Sequence, residues 1–240
     1  WNESLARMSF LKLLQEFGNR RVEYTNKKVS TIVAGWKEAV KMFVAQASLE
    51  ELQEVKDSLL RLARGTGKCC RYPVHEAAKI GAVKLMEFIL RTSFDMNTKG
   101  GYYGMIVWHE ACIHGRTEII QLIIQSSKEN GINLNAKDNE GRTAWHLACA
   151  FGKTEIAQLF IQSSKEFGID LNAKDNIERT AFHAACNNGR TETAEIIIKS
   201  SKDFGIDLNA KDDFYGSTAL HLASLHSNKE TVQVILDNWE

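Results

Sequence analysis

The chain has 240 residues, with 30 basic and 30 acidic side chains, a formal net charge of zero and 44% hydrophobic residues. That composition suits an ordinary globular protein, and the lack of a basic excess weighs against a nucleic-acid binder. No apolar run reaches the roughly 18–20 residues that span a bilayer, and the five cysteines lack framework spacing, which suits a reducing compartment better than a disulfide scaffold.

The first residue is Trp1 rather than Met, and no signal peptide opens the chain, which reads as a piece of a longer polypeptide. The expected location is cytoplasmic or nuclear, with membrane attachment of a parent protein left open. A single proline, Pro73, in 240 residues predicts a mostly helical chain. Residues 1–70 hold 12 basic and 8 acidic side chains, net +4, so the remainder is net −4.

In chain order, helical periodicity runs through FLKLLQEF (10–17), VSTIVAGWKEAVKMFVAQ (29–46) and LEELQEVKDSLLRLAR (49–64). Ser48 with Glu51 three residues on forms a capping-box candidate. Residues 1–68 are therefore expected to be a helical segment. It either caps the apolar flank of the adjoining C-terminal region, the favoured reading, or acts as an independent interaction domain. RGTGKCC (64–70) lacks the glycine and the Ser/Thr of a phosphate loop, because Leu62 and Cys69 stand in their places.

From residue 69 the sequence repeats. Residues 132–168 and 169–205 match at 23 of 37 positions without a gap. A third copy starts at Ile206, and weaker copies start at Arg71 and Met105. His75, His109, His146, His183 and His221 register the five copies at spacings of 34, 37, 37 and 38. Two residues after each histidine stands an alanine, and three after it Ala78, Cys112, Cys149, Cys186 or Ser224. Such small side chains let helices approach closely. Six after it stands Gly81, Gly115, Gly152 or Gly189, then Ser227, at the position of a left-handed helix end. A second, largely apolar helical stretch comes next each time, and a polar segment such as DNEGRT suits a hairpin turn before the next unit.

These columns resemble the ankyrin repeat. The resemblance rests on TAWH, TAFH, TALH and YPVH, on the Asp-x-x-Gly turn at Asp138–Gly141, and on the Leu-Asn-Ala closing each unit; it covers about residues 71–240. It implies an all-α helix–turn–helix solenoid with β-hairpin-like turns. Three departures stand out: Glu178 replaces a turn glycine, two hairpins (97–109 and 209–221) carry an extra residue, and two repeats are 37 residues long. The excess over the usual 33 residues falls at Ser-Ser-Lys-Glu (163–166) and Ser-Ser-Lys-Asp (200–203), which predicts outer helices one turn longer.

The most suggestive chemistry is HEACIHG (109–115). A zincin helix needs two histidines four apart. His109 and His114 are five apart, which sets them about 140° apart round a helix. The Glu110 column also reads Glu76, Leu147, Ala184 and Leu222, so no carboxylate is required there. His-x-x-Cys recurs at 109/112, 146/149 and 183/186, but those cysteines share a column with Ala78 and Ser224 and read as small apolar residues. No catalytic residue, metal ligand or cofactor site is assigned.

The resemblance also implies where a partner sits: on the hairpin tips and on the positions four and five after each histidine. The tips are Tyr102, Tyr103, Asn139, Glu140, Arg142, Asn176, Ile177, Arg179, Phe214 and Tyr215. The helix positions are Lys79/Ile80, Ile113/His114, Ala150/Phe151, Asn187/Asn188 and Leu225/His226. They vary where neighbouring columns stay constant, so the scaffold does not dictate them. Tyrosine and arginine are enriched at binding hot spots. The expected function is a non-catalytic scaffold or recognition module that binds a protein partner through the concave face. A nucleotide or short RNA in the groove is the alternative, and self-association through the long outer helices a further one.

Overall fold

The computed structural model describes residues 73–91, 95–100 and 103–238. The expected helices at 10–17, 29–46 and 49–64, the Ser48 cap, RGTGKCC, Tyr102 and Trp239 lie outside the described residues. Within them are ten helices and no strand; the hairpin preceding the second repeat contributes one antiparallel bridge between Gly100 and Met105.

The helices come in pairs, a short inner helix followed by an outer one. They are α1 (Pro73–Ile80) with α2 (Val83–Leu90), α3 (Val107–Ile113) with α4 (Thr117–Ser126), and α5 (Ala144–Ala150) with α6 (Thr154–Phe167). Then come α7 (Ala181–Asn187) with α8 (Thr191–Phe204), and α9 (Ala219–Leu225) with α10 (Lys229–Asp237). The pairs stack side by side, inner on inner and outer on outer. This is the all-α solenoid the repeat implies.

The small columns explain the stacking. Ala111, Ala148, Ala185 and Ala223 are fully buried, as are Cys112, Cys149 and Cys186, so inner helices meet almost backbone to backbone. Larger side chains fill the layer between inner and outer helices. Trp145 meets Phe160 edge-on, with ring centroids 6.1 Å apart. Ser224, at the cysteine position of the last repeat, is exposed and bonds back to the Leu220 carbonyl.

Each turn from inner to outer helix closes on a left-handed residue, for example Gly152 at φ 63°. A Cβ there would lie 2.9 Å from Arg190 Cδ of the following repeat, so glycine serves both the backbone and the packing. Ser227 holds the same conformation at φ 56° without that freedom.

The predicted longer outer helices are present: α6 and α8 each have 14 residues, against 8 in α2 and 9 in α10. Both end on a left-handed glycine, Gly168 or Gly205. The second serine of each Ser-Ser-Lys is turned inward, Ser164 Oγ donating to the Ile161 carbonyl and Ser201 Oγ to that of Ile198, both at 2.7 Å. Helix α4 carries the same Ser-Ser-Lys but stops at Ser126. Asn130 stands where α6 and α8 end in Phe167 and Phe204. Those two rings pack against the core and lie beneath Lys128 and Lys165 of the preceding repeats, at 4.7 and 4.8 Å. Asn130 instead turns its amide back to the Ser126 carbonyl.

Candidate functional site

The last three hairpins are built around one aspartate each. Asp138 Oδ1 accepts from the Glu140 and Arg142 backbone N–H groups, and Asp175 Oδ1 from those of Ile177 and Arg179. In the longer last hairpin Asp212 Oδ1 accepts from Tyr215 and Ser217, which absorbs the extra residue. Desolvation opposes ionisation of Asp212, but its backbone donors and Arg179 outweigh it and hold the pKa below the usual carboxylate value. Glu178 takes the left-handed turn position at φ 61° despite its side chain, and the turn keeps its shape.

Successive tips are tied edge to edge. Asn139 N–H donates to the Tyr103 carbonyl, Asn176 N–H to that of Glu140, and Asp213 N–H to that of Ile177. The tips thus form one continuous row. Tyr103, Ile177, Phe214 and Tyr215 stand exposed along it, and the Phe214 and Tyr215 rings meet at right angles with centroids 4.6 Å apart. The two arginines are held by the scaffold. Arg142 forks onto its own Asp138 and also reaches Glu140, whereas Arg179 reaches forward to Asp212 of the next hairpin. Each keeps just over a quarter of its side chain exposed.

On the palm below the tips, His114, Phe151, Asn188 and His226 are the C-caps of the inner helices α3, α5, α7 and α9. The residue before each is the last helical one, which explains why these two columns escape the core. Phe151 is exposed, Ile113 is half-buried against the core, and His114 lies 3.8 Å from the buried Glu110. Leu225, in the Ile113 column, is 73% exposed.

The registering histidines are structural. In His109, His146, His183 and His221 the Nδ1 accepts the backbone N–H of the residue three before it, and in His146 and His183 that residue is a threonine whose hydroxyl lies 2.9 Å away. That fixes the proton on Nε2, which reaches the carbonyl of Arg179 or Ser217 in the next hairpin. Burial lowers the pKa of His146 and His183 and takes His109 down to about 4. His109 differs from the others. Ile106 replaces the threonine, and its Nε2 makes no well-formed hydrogen bond among the described residues; nor does the neighbouring Trp108 Nε1. The Ala136 carbonyl and Asp138 offset the burial of His109 only in part. Burial raises the thiols as well, Cys112 and Cys149 far up and Cys186 to about 12, so none offers a thiolate near neutral pH.

HEACIHG thus splits into separate roles: His109, Ala111 and Cys112 are buried in the core, while His114 stands half-buried at the helix C-cap. A family model described as ankyrin repeats (3 copies) matches residues 74–175 and 167–240. A search of curated proteins returned no match.

Proposed function

Because the chain belongs to the ankyrin repeat family, whose members are generally protein–protein interaction modules, we propose that it is a non-catalytic recognition or scaffolding module that binds a protein partner through its concave face. One observation carries this reading. Among the described residues seven large apolar side chains are exposed: Tyr103, Phe151, Ile177, Phe214, Tyr215, Leu225 and Leu236. Six of them lie on the hairpin tips or at the inner-helix ends, and only Leu236 lies on an outer helix. Apolar side chains gathered on one face of a solenoid, tyrosine and phenylalanine foremost, are what a protein interface uses at its centre.

We take the repeat array to run from residue 69 to 240, and propose that residues 1–68 form a helical segment that caps its first repeat. No helix among the described residues is long and apolar enough to cross a membrane. The three described cysteines are free thiols, which supports a reducing compartment, cytoplasm or nucleus.

The test is a pull-down from cell extract with the wild-type chain and a Phe151→Ala/Phe214→Ala/Tyr215→Ala variant. The wild type should retain defined proteins that the variant releases, with thermal unfolding unchanged. Equal recovery by both would sink the reading.

A further inference from the structure

Three groove-edge columns, four, five and seven residues after each registering histidine, contain no aspartate or glutamate in any repeat. They do contain Lys79, Arg116, Lys153 and Arg190, one in each of four consecutive repeats, along with His114. This is unexpected in a stretch whose net charge is negative. Among the described residues none of these four cations has a carboxylate within ion-pairing distance, whereas Arg142, Arg179, Lys174 and Lys199 are all paired. Glu118, Glu155 and Glu192 follow two residues on, in the first turns of the outer helices, and none pairs with the row.

The row is also held in place. Arg116 Nε donates to the Lys79 carbonyl at 2.8 Å, and Arg190 Nε to the Ala150 carbonyl at 3.0 Å. Each guanidinium is thereby pinned at the C-terminal end of an inner helix. Its two terminal nitrogens make no other hydrogen bond among the described residues. A fork fixed in advance loses little entropy when it meets a carboxylate, and Arg–carboxylate pairing is bidentate. Phe151, exposed two residues before Lys153, adds apolar surface beside the row.

We propose that the occupant of this groove is an acidic segment of a partner protein, its carboxylates set against Lys79, Arg116, Lys153 and Arg190 and its apolar side chains against Phe151. This rests on the protein-binding reading above and names the chemistry of the partner.

The experiment offers the full 240-residue chain a random-peptide display library. It then measures binding of fluorescein-labelled enriched peptides, their Asp/Glu-to-amide counterparts and a short oligo-dT. Enriched peptides should carry interspersed carboxylates and large apolar residues. The amide counterparts should bind at least about tenfold more weakly at low salt, and the difference should shrink as salt rises. A Lys79→Glu/Lys153→Glu variant, whose side chains make no hydrogen bond among the described residues, should lose the same factor while melting like the wild type. Four results would overturn the proposal: no enrichment; peptides without acidic excess that respond to Phe151→Ala but not to lysine reversal, which leaves the groove reading intact; binding indifferent to both variants, which removes that reading too; or tighter binding of oligo-dT than of any acidic peptide.

Discussion

At the scale of single residues, the histidine column sets how the fold responds to acid. Burial depresses the His109 pKa from the ordinary 6.5 to about 4, and His146 and His183 shift the same way. An unfolded imidazole takes up a proton below about 6.5, and the folded one resists until about 4. Stability contributed by the neutral form is therefore present above 6.5 and lost as pH falls from there toward 4, by about 3 kcal/mol for His109 alone. The urea midpoint should drop steeply between pH 7 and 4.5; a flat midpoint would contradict the buried, neutral assignment. Trp108 and Trp145 allow a cleaner comparison. Trp145 Nε1 donates to the Leu171 carbonyl at 3.1 Å, whereas Trp108 Nε1 finds no acceptor among the described residues. Trp145→Phe should cost about 1–2 kcal/mol more than Trp108→Phe, because only the first leaves an acceptor unpaired. Glu178 and Ser227 sit in a conformation that favours glycine. Glu178→Gly and Ser227→Gly should each stabilise by up to about 1 kcal/mol in equilibrium unfolding.

Among elements, Asn97, Asn135 and Asn172 are the connectors. Asn135 Nδ2 donates to the Gly168 carbonyl while its Oδ1 accepts from Asp170 N–H, both at 2.8 Å. Asn172 repeats this with Gly205 and Asp207, and Asn97 with Gly131 and Asn133. Asn172→Ala should cost about 1–2 kcal/mol and speed amide exchange at Ile206 and Asp207, since both halves of the clamp go. A mobile 206–207 turn in the wild type would refute this. How far the sequence can be read also differs between elements. The repeat period, the inner helices and the four-residue insertion were legible, because they recur in register and each copy checks the others. The early end of α4 was not. Its Ser-Ser-Lys matches its neighbours, and only Asn130 in place of an aromatic separates a helix that continues from one that stops. The clamp was equally hidden, because its partner atoms are backbone groups in another repeat.

For the molecule as a whole, two faces differ: the outer helices form one, the inner-helix ends and hairpin tips the other. Six of the seven exposed large apolar side chains among the described residues lie on the second. The candidate site was read from columns that escape the repeat's constraints. Exposure then sorted residues that the columns could not: Arg142 and Arg179 share the hairpins with the exposed tips yet are tied down by aspartates. Phe214→Ala/Tyr215→Ala should therefore leave the melting temperature within about a degree, these rings being 66% and 82% exposed, yet weaken partner binding about tenfold or more. The same loss from Arg179→Ala should come with measurable destabilisation, because it strips Asp212 of its counter-ion.

The asparagine clamps also make the stack a spring with graded links. Each one fastens a repeat only to its immediate neighbour, so tension applied at the two ends reaches one junction at a time. Pulled in an optical trap, the array should yield in steps and not in a single rupture. Each 37-residue unit would release about 130 Å of chain at about 3.5 Å per residue. The junction between the second and third repeats, where Trp108 Nε1 finds no acceptor among the described residues, should give way at the lowest force.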